Sequence, residues 1–194
     1  DHDLVVAQYA LMIAPDERTG TMAWVAGLVH SFDRFVKRAL LLDTQLDEYL
    51  SLLPEGEFST DEIAAIKEAI KNHAGPNGPE NDLLLMTLQD ADRVANVGAT
   101  VIIRSGQLYN QLPALQPQFV TKFNPGSTYR EPKSCLDDLR YIFDWESSET
   151  NPKFGLRLPE ARNLAAPHFR FLREFFGIIQ CQFEETGLSP WPID

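Results

Sequence analysis

The chain has 194 residues, and its 28 acidic and 17 basic residues give a formal net charge of −11 with neutral histidines. This length is enough for one domain with a substantial core, and an apolar fraction of 44% is ordinary for a globular protein. The acidic balance excludes a module that grips a nucleic-acid polymer, because such modules need a basic face.

Targeting and redox patterns are absent from the sequence. The apolar runs fall short of the roughly 18 residues that span a bilayer, and no basic stretch followed by an apolar run begins the chain. Cys135 and Cys181 match no metal spacing and no disulfide framework, although a single disulfide stays open. We therefore expect a cytoplasmic protein without a membrane partner.

The first quarter of the chain predicts three helices in succession. Residues 3–14 are apolar helix formers that end at Pro15, and residues 21–32 carry almost no charge, which is typical of a buried helix. Leucines recur along residues 33–53, and the helix that they predict ends at the turn containing Pro54.

A capping pattern marks the next helix. Ser59 is followed three residues later by Glu62, and this pair predicts an N-terminus for a helix over residues 60–73. Glycine and proline at residues 75–79 predict a loop. An apolar stripe then predicts one long helix over residues 81–105.

Prolines interrupt the second half of the chain. Residues 106–133 predict a long irregular loop, in which only residues 118–123 show strand-like alternation. Helical spacing returns at 134–146 and in a closing helix over about 159–186, where Pro167 predicts a kink. The predicted fold class is all-α, a single-domain helical bundle with one long Pro-rich loop.

Histidine is scarce, and the chain has only four. Three of them, His2, His30 and His73, fall at or near the ends of predicted helical segments, and Asp90 and Asp92 lie within one. Imidazole and carboxylate together suit borderline divalent metals, and helices hold such ligands rigidly. The spacing alone leaves open whether these residues share one site.

The motifs around these residues resemble the HD superfamily of metal-dependent phosphohydrolases, all-α proteins with an H…HD…D signature. His2 in HDLVVAQYALMIA matches the histidine of the first helix. His30 in AWVAGLVHSFDR matches the histidine of the His-Asp pair, and Asp92 in LQDADRVANVGA matches the last aspartate. IKEAIKNHAG, Gly98-Ala99, Arg104 and the closing helix are similar to one bacterial branch of that family.

Ser31 departs from the family pattern, because it stands where the family has the metal-binding aspartate. The resemblance then leaves His2, His30 and Asp92 as metal ligands, a set that can hold a divalent ion more weakly. Asp33 is a candidate to compensate, although a shift of two residues turns a side chain by about 200° around a helix.

The resemblance implies a hydrolase of small phosphorylated compounds or nucleotides with a divalent ion, Mn, Fe, Co, Ni, Zn or Mg. His73, Asp33 and Arg93 are the candidate catalytic residues around that ion. Arg93, Arg34 and Lys37 are candidate phosphate-binding cations, with surface charge as the alternative for each. For Arg93, next to Asp92, a structural ion pair is a further alternative.

One alternative function stays open. A degenerate HD protein without catalysis, acting as a ligand-binding or scaffolding module, would also explain Ser31.

Phenylalanines in the closing helix predict a core or a homodimer surface. His168, in the same helix, predicts a contact between helices or a surface residue. Trp191, between two prolines, predicts a docked tail.

Overall fold

The computed structural model describes residues 2–32, 39–79 and 82–189, and within these ranges it is helical without a named strand. Two short 3-10 helices, Pro117–Phe119 and Phe143–Glu146, accompany the α-helices. The α-helices are α1 (His2–Ile13), α2 (Glu17–Gly27), α3 (Ala39–Leu50), α4 (Thr60–Asn72), α5 (Leu83–Ala95), α6 (Ala99–Leu108), α7 (Cys135–Arg140) and α8 (Pro159–Glu185). The all-α prediction is confirmed.

Side-chain caps define where the first helices begin. Asp16 caps α2 by accepting a hydrogen bond from the Thr19 amide at 2.8 Å. At α4 the predicted capping box is present: the Ser59 hydroxyl accepts from the Glu62 amide, and the Glu62 carboxylate accepts from the Ser59 amide at 2.8 Å. These caps satisfy amide groups that the helix itself leaves unpaired.

The chain divides into two compact units, of which the first runs to Ala95 and includes Leu156–Ala161. Within it, α1 packs against α2 and α5, and α4 packs against α2 and α5. Its core is made of fully or almost fully buried apolar side chains, namely Val6, Ala7, Ala10, Ile13, Ala23, Ala26, Ile66, Ile70, Leu88 and Ala91. All the predicted metal ligands belong to this unit.

Small residues allow α1 and α2 to approach closely. A Cβ atom placed on Gly27 would lie 2.8 Å from the Cα atom of Ala7, closer than side chains pack. Because Gly27 is the last residue of α2, this contact fixes the chain that follows it against the first turns of α1.

The second unit contains α6, α7 and most of α8. Gly98, with a φ angle of 88°, precedes α6, and the His168 side chain lies against it: a Cβ atom on Gly98 would come within 2.8 Å of His168 Nδ1. His168 is therefore a contact between helices. Phe169 and Leu172 of α8 are fully buried.

Three element predictions need correction. The long helix predicted over 81–105 is two helices, because Gly98 adopts a left-handed conformation that a continuing helix does not allow. The segment 134–146 is the short α7 followed by a 3-10 turn. Residues 118–123 contain the end of a 3-10 helix in place of a strand.

Further predictions concern the closing helix, membrane-spanning segments and four single residues. The closing helix α8 is continuous across Pro167. No helix in the described ranges is long and apolar enough to cross a membrane. Asp33, Arg34, Lys37 and Trp191 lie outside the described residues.

Candidate metal centre

His30 lies in the tight turn that ends α2 and is fully buried. Its Nδ1 atom is 2.7 Å from the carbonyl oxygen of Gly27. Since a carbonyl only accepts, Nδ1 carries the proton and donates it. The hydrogen bond caps a helix carbonyl and, whenever the ring is neutral, leaves the lone pair on Nε2.

His73 repeats this arrangement at the end of α4. It is the C-terminal cap of the helix, it is almost fully buried, and its Nδ1–H donates to the carbonyl of Ile70 at 2.6 Å. Histidines that bind metals usually donate their other ring N–H to a carbonyl or a carboxylate. Both His30 and His73 are therefore held in the tautomer that a metal ligand needs.

Asp92 brings a carboxylate to these rings from α5. Its Oδ1 atom lies 3.0 Å from Nε2 of His2 and 3.5 Å from Nε2 of His30. The side chains of His2 and Asp92 are only 15% and 17% exposed, so the pair is largely removed from water. The structure thus brings together His2, His30 and Asp92, the three ligands that the family resemblance predicts.

The rings of the three histidines lie edge to face around His30. Ring centroids are 5.2 Å apart for His2 and His30 and 5.0 Å apart for His30 and His73. Potential ligand atoms of His30, His73 and Asp92 all lie within 4.8 Å of one another. His73, predicted as a catalytic neighbour of the ion, thus offers a potential ligand atom in the same group as His30 and Asp92.

Charges at the centre act on each other strongly. Burial by itself would raise the pKa of Asp92, but hydrogen bonds from His2 and His30 and the charges of His30 and His73 lower it well below its usual range. Burial opposes a charged His30, yet the Asp92 carboxylate raises the pKa of that ring above its usual value. The centre therefore holds an ionised carboxylate at neutral pH.

Asp3 is a residue at the centre that the sequence analysis missed. Ser31 donates its hydroxyl proton to Asp3 Oδ1 at 2.6 Å, and the Ser31 oxygen lies 3.4 Å from Nε2 of His30. Ligand atoms of His2, Asp3 and His30 form a second group within 4.8 Å. The signal was in the sequence, because His2-Asp3 is itself a His-Asp pair.

Asp90 belongs to a separate, fully buried network. Its Oδ2 atom accepts the backbone N–H groups of Arg157 at 2.7 Å and Leu158 at 2.8 Å. Burial raises the pKa of Asp90, and those two amides and the guanidinium groups of Arg157 and Arg93 oppose the rise. This network ties α5 to the chain that enters α8.

Arg93 donates to Asn77 Oδ1 at 2.6 Å and lies 3.4 Å from Asp90. Its side chain is only 7% exposed. These contacts match the structural ion pair that was the alternative to phosphate binding for this residue. Asp33, the other predicted catalytic residue outside the histidines, is not among the described residues.

The donor set fits a divalent ion. It combines imidazole nitrogens with one ionised carboxylate, and a carbonyl behind each of two rings orients the lone pair inward. No other part of the described ranges gathers three histidine, cysteine or acidic ligand atoms in this way.

Solved structures of similar fold come from several bacteria. An HD-superfamily hydrolase from Bacillus thuringiensis covers 95% of this chain and 85% of its own, with a TM-score of 0.60 and 17% identity. A predicted HD-superfamily hydrolase from an uncultured Thermotogales bacterium covers 94% and 79%, with a TM-score of 0.54 and 20% identity.

YpgQ from Bacillus subtilis, solved in complex with ADP, covers 97% of this chain and 90% of its own, with a TM-score of 0.59 and 16% identity. No protein-family model matches the sequence, and no curated protein is significantly similar to it. The chain has the helical fold of the HD-superfamily hydrolases, and the resemblance predicted from its motifs is confirmed at the level of fold.

Proposed function

We propose that the protein is a divalent-metal-dependent phosphohydrolase that acts on a small phosphorylated compound of the nucleotide class. The observation that carries this proposal is the convergence of His2, His30, His73 and Asp92 on one largely buried centre. Residues from α1, α4, α5 and the turn after α2 meet there, although they are far apart in the sequence.

A divalent ion held by these residues would supply an activated water and positive charge for a phosphate group. The imidazole-rich set favours Mn, Fe, Co, Ni or Zn over Mg, because Mg prefers oxygen ligands. Asp92 supplies the negative charge of the ligand set, and its low pKa keeps that charge at neutral pH.

The protein's overall charge supports the need for an ion. At −11, the chain repels a phosphorylated substrate unless a local positive centre offsets its field. Arg93 does not supply that centre in the described structure, since Asn77 and Asp90 engage its guanidinium. A bound ion would supply positive charge where the substrate needs it.

The substrate class rests on a comparison of fold. YpgQ, a structure of similar fold, was solved in complex with ADP. We infer from it that a nucleoside phosphate is the class to test first, alongside a generic phosphoester.

Metal analysis and hydrolysis together test the proposal. Protein purified without a chelator should contain a transition metal at near one equivalent, and chelated protein should take up Mn²⁺ or Ni²⁺ on titration. The reloaded protein should release phosphate or pyrophosphate from a panel of nucleotides, while chelated protein should not.

Two results separate the proposal from its alternatives. A protein that takes up no divalent metal contradicts the metal centre. A protein that binds the metal at the histidines but hydrolyses no nucleotide and no generic phosphoester supports the degenerate, ligand-binding module in its place.

A further inference from the structure

The centre lacks one carboxylate where it has Ser31. A serine hydroxyl is neutral and a poor metal ligand, so this position adds no negative charge to the site. The Ser31 hydroxyl donates to Asp3 Oδ1 at 2.6 Å, a short hydrogen bond to a charged group. A carboxylate therefore lies directly beside the position from which one is missing.

We propose that Asp3 is a metal ligand of this protein and that Ser31 is the positioning residue that holds it. In this arrangement Asp3 supplies the carboxylate that the family resemblance places at residue 31. The inference rests on the proposed function, because it concerns the ion that His2, His30 and Asp92 would bind.

Geometry supports Asp3 as a ligand. One ligand atom each from His2, Asp3 and His30 can be chosen so that all lie within 4.8 Å of one another. The contacts of Asp3 within the described ranges use Oδ1, which accepts from Ser31 and lies 3.5 Å from Nδ1 of His30. Its second oxygen, Oδ2, remains to bind an ion.

Exposure supports the same assignment. The Asp3 side chain is 30% exposed, whereas the His30 side chain is fully buried. Asp3 thus lies nearer to solvent than His30 does. Asp92 lies against the histidines from α5. The two carboxylates therefore come from different helices and lie near different nitrogens of the His30 ring, Asp3 near Nδ1 and Asp92 near Nε2.

A purely mechanical role is the competing explanation. In that case the Ser31–Asp3 hydrogen bond only ties the start of α1 to the turn after α2. A tie contributes stability in the absence of metal, about 0.5–1.5 kcal/mol for a typical hydrogen bond. If Asp3 is a ligand, its carboxylate instead contributes to metal affinity. A carboxylate at residue 31 should then be able to replace it.

Mn²⁺ titration of chelated protein by calorimetry separates the two roles. We expect Asp3→Asn to weaken Mn²⁺ binding at least about tenfold and Ser31→Ala to weaken it by less, since Ser31 acts only through Asp3. Asp61→Asn, an exposed acid on α4 outside the centre, is the matched control and should bind as the wild type does. Thermal unfolding in chelator measures the metal-free stability of each variant.

The swapped variant Asp3→Asn/Ser31→Asp gives the decisive readout. It returns the carboxylate to residue 31, and we expect it to recover most of the affinity that Asp3→Asn loses. Recovery supports the inference if Ser31→Asp alone, which keeps Asp3, gains less affinity than the swap recovers. An equal gain shows that a carboxylate at residue 31 binds the metal whatever Asp3 does, and it overturns the inference.

Different negative results overturn the proposed function and the role of Asp3 and Ser31. A wild-type protein that does not bind Mn²⁺ overturns the proposed function together with this inference. A wild-type protein that binds Mn²⁺ while Asp3→Asn binds it within twofold, or a swap that stays as weak as Asp3→Asn, overturns only the role of Asp3 and Ser31.

Discussion

Two aspartates on helix α5, Asp90 and Asp92, have opposite surroundings although they are two residues apart. Such a separation turns the side chains by about 200° around a helix, so they point to different faces. Asp90 is fully buried among backbone amides and guanidinium groups, and Asp92 lies against histidine rings. Burial raises the pKa of Asp90, whereas the histidines around Asp92 lower the pKa of Asp92.

The two carboxylates differ in whether the groups around them can bind a metal ion. The amides of Arg157 and Leu158 and the two guanidinium groups keep their protons at any ordinary pH, so Asp90 is fixed in a structural role. The ring nitrogens of His2 and His30 are ligands that divalent metals accept. One helix thus carries a structural carboxylate and a functional one.

The largest expected effect follows from removing the structural carboxylate. Asp90→Ala leaves Arg93 and Arg157 as buried charges without their carboxylate and two backbone amides without an acceptor. We expect a loss of about 3–5 kcal/mol in the free energy of unfolding, measured by urea denaturation. A loss below about 1 kcal/mol would show that water or a rearranged chain replaces the carboxylate, and the comparison would fail.

The functional carboxylate should behave in the opposite way. Asp92→Asn keeps the shape of the side chain and one acceptor, so we expect a stability loss of only about 1–2 kcal/mol. Mn²⁺ affinity should fall by more than about a hundredfold, since even changes behind the ligands cost 10- to 100-fold. A variant that unfolds as readily as Asp90→Ala, or that keeps its metal, would contradict the division of roles.

The contact between α1 and α2 gives a third test of the comparison, because His2 of α1 contacts Asp92. Gly27→Ala would place a Cβ atom against the backbone of Ala7 and push the two helices apart. We expect a stability loss of about 1–3 kcal/mol together with weaker Mn²⁺ binding, because His2 moves with α1. Ala23→Ser, another buried small-residue change on α2, serves as a control that leaves the Gly27 contact intact.

The smallest effect is expected at an exposed carboxylate. The Arg18 guanidinium and the Ser59 amide lower the pKa of Glu62 from 4.5 to about 2. Because the folded-state pKa is depressed, the stabilisation is complete above about pH 4.5 and is lost as the pH falls toward 2. Glu62→Gln should flatten the pH dependence of Tm in that window.

Added salt should shrink that contribution of Glu62, since Arg18 is 44% exposed and the pair is screened by ions. An unchanged pH dependence in Glu62→Gln would show that the pair contributes nothing measurable. The pH response would then have to come from other carboxylates, among them Asp16 and Asp43, whose pKa values are also lowered.

Local signals in the sequence were enough to predict some helix starts. The Ser59–Glu62 capping box is a pattern of four residues whose bonds lie within one turn, and it is present as predicted. The break at Gly98 was missed because the apolar stripe continues across it, and only the backbone conformation reveals the end of α5. Periodicity reports which face is buried but not whether the backbone continues.

Some residues of the candidate site were predictable from the sequence, and others were not. His2, His30 and Asp92 were predictable from motifs, and the structure brings them together. Asp3 was not predicted: the adjacent His2-Asp3 pair was visible in the sequence, but only the structure shows the contact of Asp3 with Ser31. The role of Asp33 remains a prediction.

A crystal of the wild-type protein soaked in Mn²⁺ and measured at the manganese absorption edge tests the central claim most directly. The account predicts one strong anomalous peak among His2, His30 and Asp92, with the Asp3 carboxylate beside it and no peak at Asp90. An absence of anomalous signal at the histidines, or a peak bound only by surface acids, would contradict it.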